Sequence, residues 1–196
     1  MTVLAILGSP SKTSRTARLI ERSRSTLAEL DIELQTISVY DFPAEALLYG
    51  HFDNPAVQDF QRRVSKANGL IIATPVYKAA YAGALKILLD LIPEGGLAGK
   101  PVLPLVSGGS PGHLLAVDYS IKPVLAALKA SEIHQGVFAV ESQIGVDEQG
   151  TARLADELEQ RLQQAVHDFA ALLGVSTPAR QALRHADDFI SRLISL

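Results

Sequence analysis

Hydroxyl-bearing and basic side chains crowd together near the start of the chain, in the segment SPSKTSRTAR that follows Gly8. The hydroxyls belong to Ser9, Ser11, Thr13, Ser14 and Thr16, and the cations to Lys12, Arg15 and Arg18. No acidic residue precedes Glu21. Hydroxyls and cations supply the hydrogen bonds and positive charge that hold a phosphate in proteins. The composition of this segment therefore indicates an anion-binding loop.

The position of the loop supports the same chemistry. An apolar run at residues 3–7 precedes it, and apolar residues at helical spacing follow it from Leu19 onward. A strand–loop–helix junction directs backbone N–H groups and the positive end of a helix toward one point. The loop lacks both the three-glycine dinucleotide fingerprint and the Gly-Lys-Ser/Thr ending of a triphosphate loop, so a monophosphate fits better. Taken alone, the segment is equally compatible with an N-capped helix that binds nothing.

Five apolar segments alternate with segments of helical periodicity along the chain. The predicted strands cover residues 3–7, 33–40, 69–74, 102–107 and 136–140, and the main later helices cover residues 55–67, 82–92, 113–129 and 151–173. Residues 43–53 are expected to form a connection that could include a short helical piece at residues 44–48. Unbroken apolar runs such as GLIIAT are typical of parallel strands buried on both faces. The alternation predicts an α/β fold, a flavodoxin-like doubly wound five-stranded parallel sheet with strand order 2-1-3-4-5.

Two segments have features that are unusual for such a sheet. Pro101 and Pro104 stand in the fourth predicted strand, where each removes a ladder donor, so we expect a bulge or a weakened end there. The predicted helix at residues 82–92 is apolar on nearly every side, interrupted only by Lys86 and Asp90. We therefore expect a second subunit to cover part of it.

Composition excludes several classes of protein. A length of 196 residues, 47% of them hydrophobic, suits one globular domain. The net charge of −3 gives no general attraction to nucleic acid or acidic membranes, and no apolar run reaches the length of a membrane span, so we expect a cytoplasmic protein. Cysteine is absent and the initiator is the single methionine, which excludes thiol catalysis and cysteine-ligated metals. No metal site is predicted.

Three loops of the predicted sheet meet at the carboxyl ends of its central strands. They cover residues 8–16, 74–83 and 107–113. In the middle loop, Pro75 sets the chain direction, and Val76 and Tyr77 offer apolar surface to a flat ring. In the third loop, Gly108 and Gly109 allow close approach from the other side. Each loop alone could be ordinary turn chemistry, but together they suit a planar ring attached to a phosphate, the shape of flavin mononucleotide (FMN).

Three separated motifs, GSPSKTSR, LIIATPVYKAAYAGALKILLDLIPE and PLVSGGSPGHLLAVDYSIKPVL, resemble those of the NADPH-dependent FMN reductases, especially the reductase components of two-component alkanesulfonate monooxygenases. The resemblance covers residues 1–173, expected to form one flavodoxin-like reductase domain, and weakens in a tail at residues 174–196 that is expected to be helical. It implies a phosphate site at Ser9, Ser14, Arg15 and Thr16. It further implies ring contacts from Pro75, Val76, Tyr77, Lys78, Gly108, Gly109 and His113.

The resemblance also implies an activity and partners. Free FMN would be reduced by NADPH and passed to a flavin-dependent alkanesulfonate monooxygenase, by a homodimer or homotetramer. That setting is sulfur starvation, which would explain a chain nearly devoid of sulfur. Hydride transfer between two cofactors needs no acid or base from the protein, so no catalytic side chain is assigned. The sequence leaves open whether NADPH or NADH is preferred, because no separate clamp for a 2′-phosphate is apparent.

Tyr119 and Pro123 stand four residues apart in the predicted helix at residues 113–129. Pro123 cannot donate to the carbonyl of Tyr119, so the helix should kink or widen, and a π-bulge is a frequent solution at functional sites. A plain proline kink is the alternative. The resemblance associates such an inserted aromatic with the subunit interface and with flavin release.

Two other functions remain open on the sequence. A flavodoxin-like electron carrier would hold FMN tightly and oxidise no NADPH, and a quinone or azo reductase would keep its FMN bound throughout. Flavodoxins are strongly acidic around the flavin, whereas these loops carry Lys12, Arg15, Lys78 and His113. The basic loops favour the reductase.

Overall fold

A parallel sheet organises the computed structural model, which describes residues 1–175. Its strands are β1 (Thr2–Leu7), β2 (Glu33–Ser38), β3 (Gly69–Tyr77), β5 (Pro101–Gly108), β6 (Glu132–Ile133) and β7 (Val137–Val140), and β4 (Ala80–Tyr81) folds back on β3. The order is β2-β1-β3-β5, with β6 and β7 sharing the outer position beside β5. The predicted flavodoxin-like strand order is therefore confirmed.

Helices cover both faces of this sheet. They are α1 (Arg15–Ala28), α2 (Ala44–Leu48), α3 (Pro55–Lys66), α4 (Gly83–Asp90), α5 (Lys122–Ala127) and α6 (Asp156–Leu172). Alternate side chains of a strand point to opposite faces, so β1 serves both layers. Leu4 and Ile6 pack in the core that includes Phe60 of α3. Val3, Ala5 and Leu7 pack in the core that includes Phe169 of α6.

Helix α3 begins where the sequence predicts. Asn54 is its N-cap, and its Oδ1 atom accepts a hydrogen bond from the Ala56 N–H at 2.9 Å. Pro55 occupies the first turn, where its missing N–H matters least. The predicted inner face, formed by Val57, Phe60 and Val64, is buried.

We expect the change Asn54→Ala to lower the free energy of unfolding by about 1 kcal/mol, because the capped N–H would lose its acceptor. Urea denaturation monitored by circular dichroism measures this. The exposed Gln58→Ala in the same helix is the matched control and should change the free energy of unfolding by less than half that amount. Equal effects from the two changes would contradict the capping role.

The two prolines of β5, the fourth parallel strand along the chain, coincide with an interruption in the pairing on its outer side and leave the strand itself continuous. β5 is continuous and buried throughout, so the predicted bulge or weak end in it is wrong. On its outer side, β6 pairs with Pro101 and Val102, and β7 pairs only from Leu105 onward. The Val102 carbonyl accepts a hydrogen bond from the His134 N–H, so the backbone groups of Val102 point to the outer side of β5. Those of Pro104, two residues further along the strand, point to the same side and therefore into the gap between β6 and β7. The ladder is interrupted where Pro104 has no N–H to offer.

Other boundaries differ from prediction because strands pair where the sequence suggested loop or helix. Residues 152–154 form β9 (Ala152–Leu154), which pairs with β8 (Ile144–Val146), so the last helix begins at Asp156 and not at residue 151. The second strand ends at Ser38, and a 3-10 turn occupies Val39–Asp41. The predicted tail helix lies outside the described residues. No helix within residues 1–175 is long and apolar enough to cross a membrane.

Candidate functional site

The first loop and the start of α1 form one wall of a cleft at the carboxyl ends of the central strands. Ser14 is the N-cap of α1, and its Oγ atom accepts from the Ala17 N–H at 3.1 Å. The cleft has a volume of about 370 Å³ and is lined by Ser11, Thr13, Ser14, Arg15, Thr16, Arg18, Pro75, Tyr77, Ser107 and Glu141. First-turn N–H groups of a helix lack intrahelical acceptors, so this wall is suited to an anion.

Two buried hydroxyls hold the first loop in place. The Ser9 side chain lies beneath the loop, where its Oγ atom accepts from the Ser11 N–H at 3.2 Å. The Thr16 hydroxyl is fully buried and lies 2.6 Å from the hydroxyl of Ser107 at the end of β5. Thr16 therefore joins α1 to the third loop, and Ser9 acts on the cleft through the loop backbone.

We expect Ser107→Ala to lower the free energy of unfolding by about 2 kcal/mol, because the buried Thr16 hydroxyl would lose its partner. In the double variant Thr16→Val/Ser107→Ala neither hydroxyl is left unpaired, so its loss should be smaller than the sum of the two single losses. Urea denaturation of the four proteins gives the coupling. Strictly additive losses would show that the two hydroxyls do not stabilise each other.

Part of the predicted middle loop, residues 74–83, forms a hairpin. β3 continues through Pro75 to Tyr77, which pairs with Ala80 of β4. Lys78 and Ala79 form the two-residue turn, with φ of 51° and 64°. This left-handed backbone matches the twist of a tight hairpin but strains residues other than glycine. Pro75 and Tyr77 consequently face the cleft as a stiff edge, with half of the Tyr77 surface exposed.

Val76 and Lys78 do not line the cleft, although the resemblance implies that they contact the flavin ring. The Val76 side chain is buried and packs in the core on the α3 and α4 side of the sheet. Lys78 is exposed at the tip of the hairpin, and neither residue is among those lining the cleft. Through the backbone, however, both position Tyr77.

The third loop begins at two glycines with different surroundings. A Cβ atom at Gly108 would lie 2.9 Å from the Phe138 ring, so the ring would have to shift to admit any larger residue there. Gly109 is exposed, and a Cβ there would meet open space.

His113 and Tyr119 belong to a second cleft. It has a volume of about 320 Å³ and is lined by Ala79, Gly112, His113, Leu115, Ala116, Tyr119 and Ser120. The Nδ1 atom of His113 is buried and has no hydrogen-bond partner among the residues described. A buried nitrogen without a partner is unusual and suits a position beside a ligand.

A π-helix spans Val117–Ile121, immediately before α5. The widened turn that Tyr119 and Pro123 predict is therefore present, and the plain kink is not. The Tyr119 side chain is 79% exposed.

Glu141 is the lining residue that the sequence did not point to. It follows β7 directly, and its Oε2 atom lies 2.9 Å from Nη1 of Arg15. The sequence could have indicated Glu141, because it directly follows the last predicted strand and the carboxyl ends of all parallel strands meet at one edge of the sheet. Ser11, Thr13 and Arg18 also line the cleft. The sequence identified them as hydrogen-bond donors of the first loop, but they were not among the residues implied to bind the phosphate.

The lining residues fit a phosphorylated flavin. Hydroxyls, two guanidinium groups and the start of α1 converge on one side, and Pro75 and Tyr77 offer an apolar edge on the other. When bound, FMN supplies the ring that accepts a hydride from NADPH. The lining residues would bind and orient it, since hydride transfer between two cofactors requires no proton transfer from the protein.

Comparison with known proteins shows the family of this chain. The family model for NADPH-dependent FMN reductase matches residues 1–145. An FMN reductase (NADPH) of Pseudomonas putida is 54% identical over 175 residues, covering 88% of each chain, and one of Escherichia coli is 47% identical, covering 100% of this chain and 97% of its own. The apo structure of the NADH:FMN oxidoreductase EMOB superposes with a TM-score of 0.78 at 39% identity, covering 91% of this chain and 92% of the other. The chain therefore belongs to the NADPH-dependent FMN reductase family, oxidoreductases that use FMN and NADPH.

Proposed function

We propose that the flavin phosphate binds at the start of α1 and that the flavin ring extends past Tyr77 toward His113. Ser14 and Arg15 would hold the phosphate, with Thr16 fixing the start of α1 through Ser107 and Ser9 fixing the loop from below. Pro75, Val76, Tyr77 and Lys78 form the hairpin that flanks the ring, and Gly108 and Gly109 let it approach the third loop. The convergence of donors in one cleft supports this placement.

We propose further that the enzyme supplies reduced FMN to a flavin-dependent alkanesulfonate monooxygenase. The observation that carries this proposal is the π-helix with its exposed Tyr119, the feature expected of monooxygenase-linked reductases. The absence of cysteine and the single methionine in 196 residues agree with a protein made when sulfur is scarce. Tyr119 then serves flavin release.

A coupled assay tests this function. The reductase, NADPH, FMN, an alkanesulfonate monooxygenase and octanesulfonate are mixed, and sulfite is measured alongside loss of NADPH absorbance. Sulfite should form only in the complete mixture. NADPH oxidation that proceeds without sulfite, while the same monooxygenase releases sulfite with chemically reduced FMN, would contradict the proposal. Repeating the assay with NADH measures the preference between the two nicotinamides.

Retention of flavin separates the other two functions. A reductase that releases FMN should become nearly colourless on dialysis and still oxidise NADPH when FMN is added back. An enzyme that reduces quinones or azo dyes with its own flavin would stay yellow. A flavodoxin-like carrier would stay yellow and show no steady NADPH oxidation.

We propose that residues 1–173 act as one reductase domain in a cytoplasmic homodimer or homotetramer. Leu85, Leu88 and Leu89 of α4 are buried within the chain, whereas Ala84 and Ile87 remain half-buried and available to a second copy. Light scattering after size exclusion should give two or four times the chain mass of 21.0 kDa. A mass of one chain at micromolar concentration would contradict the oligomer.

A further inference from the structure

The ion pair between Arg15 and Glu141 lies inside the cleft proposed for the phosphate. Nη1 of Arg15 is 2.9 Å from Oε2 of Glu141, and the side chains are 49% and 41% exposed. Both residues line the cleft. Among the lining residues that the structure describes, Glu141 is the one carboxylate, in a cleft that Arg15 and Arg18 also line. A negative charge in a site for a dianion is unexpected and calls for a function.

The turn that carries Glu141 is anchored. Glu141 opens the 3-10 turn Glu141–Gln143. Oε1 of Gln143 accepts from the Val140 N–H at 3.0 Å, and the Gln143 carbonyl accepts from the Ala155 N–H at 2.9 Å. These bonds tie the turn to the end of β7 and to the start of α6. The carboxylate is therefore presented to the cleft by a fixed backbone.

A second arginine of α1 forms an ion pair outside the cleft and provides a comparison. Two turns further along, Arg22 binds Glu159 of α6 through a partly buried ion pair outside the cleft. The hydrogen bonds that Arg22 donates to the Glu159 carboxylate raise the pKa of Arg22 above its usual value. That pair joins α1 to α6. An ion pair as exposed as Arg15–Glu141 adds little to stability. What distinguishes it from Arg22–Glu159 is its position inside the cleft.

We propose that Glu141 competes with the flavin phosphate for Arg15 and so lowers the affinity of the cleft for FMN. This inference rests on the proposed placement of the phosphate. The carboxylate takes an Nη1 donor of Arg15, and its negative charge lies in the cleft beside the proposed phosphate site, where it repels the dianion. Glu141 is thus a positioning residue that holds Arg15 in the absence of flavin and favours dissociation of flavin after reduction.

Glu141→Gln tests the proposal, with Glu159→Gln as the matched control that breaks an ion pair of α1 outside the cleft. Flavin fluorescence titrations give the dissociation constants of FMN and of riboflavin, which lacks the phosphate. For Glu141→Gln, we expect the dissociation constant of FMN to fall roughly fivefold and that of riboflavin to stay unchanged. The gain should shrink as salt rises. Glu159→Gln should leave both constants unchanged.

The double variant Arg15→Gln/Glu141→Gln, compared with Arg15→Gln, tests whether Glu141 lowers FMN affinity through Arg15. Without Arg15 only the repulsion between carboxylate and phosphate remains, so Glu141→Gln should strengthen FMN binding less in the Arg15→Gln background than in the unaltered protein. Unchanged or weakened FMN binding in Glu141→Gln would overturn the inference, as would a gain that is equal for riboflavin. A lower KM for NADPH with unchanged FMN affinity would also overturn it, because the carboxylate would then face a nicotinamide phosphate.

The same titrations separate this inference from the proposed site. If the unaltered enzyme binds FMN and riboflavin equally and Arg15→Gln has no effect, the phosphate lies elsewhere and the proposed placement fails. If FMN is preferred and depends on Arg15 but Glu141→Gln binds it no more tightly, only the role of Glu141 fails. Glu141→Ala supplies the measurement should Glu141→Gln not fold.

Discussion

Alanine at position 8 is expected to lower the free energy of unfolding by about 3 kcal/mol, the upper part of the range for overpacking. A Cβ atom on Gly8 would lie 2.2 Å from the Cβ of Leu85 and 2.7 Å from its Cα. Leu85 belongs to α4, and its backbone cannot yield without moving the whole helix. The Gly8 N–H also donates to the Ala73 carbonyl at 2.7 Å, which holds Gly8 against β3. Neither partner can relieve the overlap.

Urea denaturation of Gly8→Ala, followed by circular dichroism, measures this loss. Gly83→Ala is the matched control, because a Cβ there meets no atom within 4 Å and alanine favours the helix that Gly83 begins. The control should be neutral or slightly stabilising. A loss below about 1 kcal/mol for Gly8→Ala would mean that α4 can move away from the first loop.

Replacing Arg15 by glutamine is expected to raise the dissociation constant of FMN about tenfold or more, the effect of losing one hydrogen bond to a charged group. Arg15 begins α1 at the cleft wall, and its guanidinium is half exposed, paired only with the exposed Glu141 among the residues described. It can therefore turn to a phosphate at small cost. Riboflavin, which carries no phosphate, should bind both proteins equally.

Fluorescence titration with FMN and riboflavin measures the difference. Arg22→Gln is the control, since Arg22 lies in the same helix but is held by Glu159 outside the cleft. It should leave FMN binding unchanged while lowering the stability of the protein. A loss of riboflavin binding that equals the loss of FMN binding in Arg15→Gln would place Arg15 against the ring instead of the phosphate.

Local sequence patterns determined most of the strands and helices of this protein. Runs of apolar residues and their periodicity defined the strands and helices, because burial of one face is a property of neighbouring residues. The Asn54 cap and the Pro123 interruption act within one or two turns, so α3 and the π-helix could be predicted from the chain alone. The alternation of elements then left few topologies, and the predicted strand order is the observed one.

Only the tertiary structure decided which distant residues share the cleft and how strand ends pair. Glu141 reaches Arg15 across 126 residues, and the Thr16 hydroxyl meets Ser107 across 91. The interruption opposite Pro104 appears in the adjacent β6 and β7, and residues 78–79 close a hairpin because β4 pairs with β3. Such contacts depend on register and on the angle at which helices cross the sheet. No pattern within a short window carries that information, because both are set by packing across the whole domain.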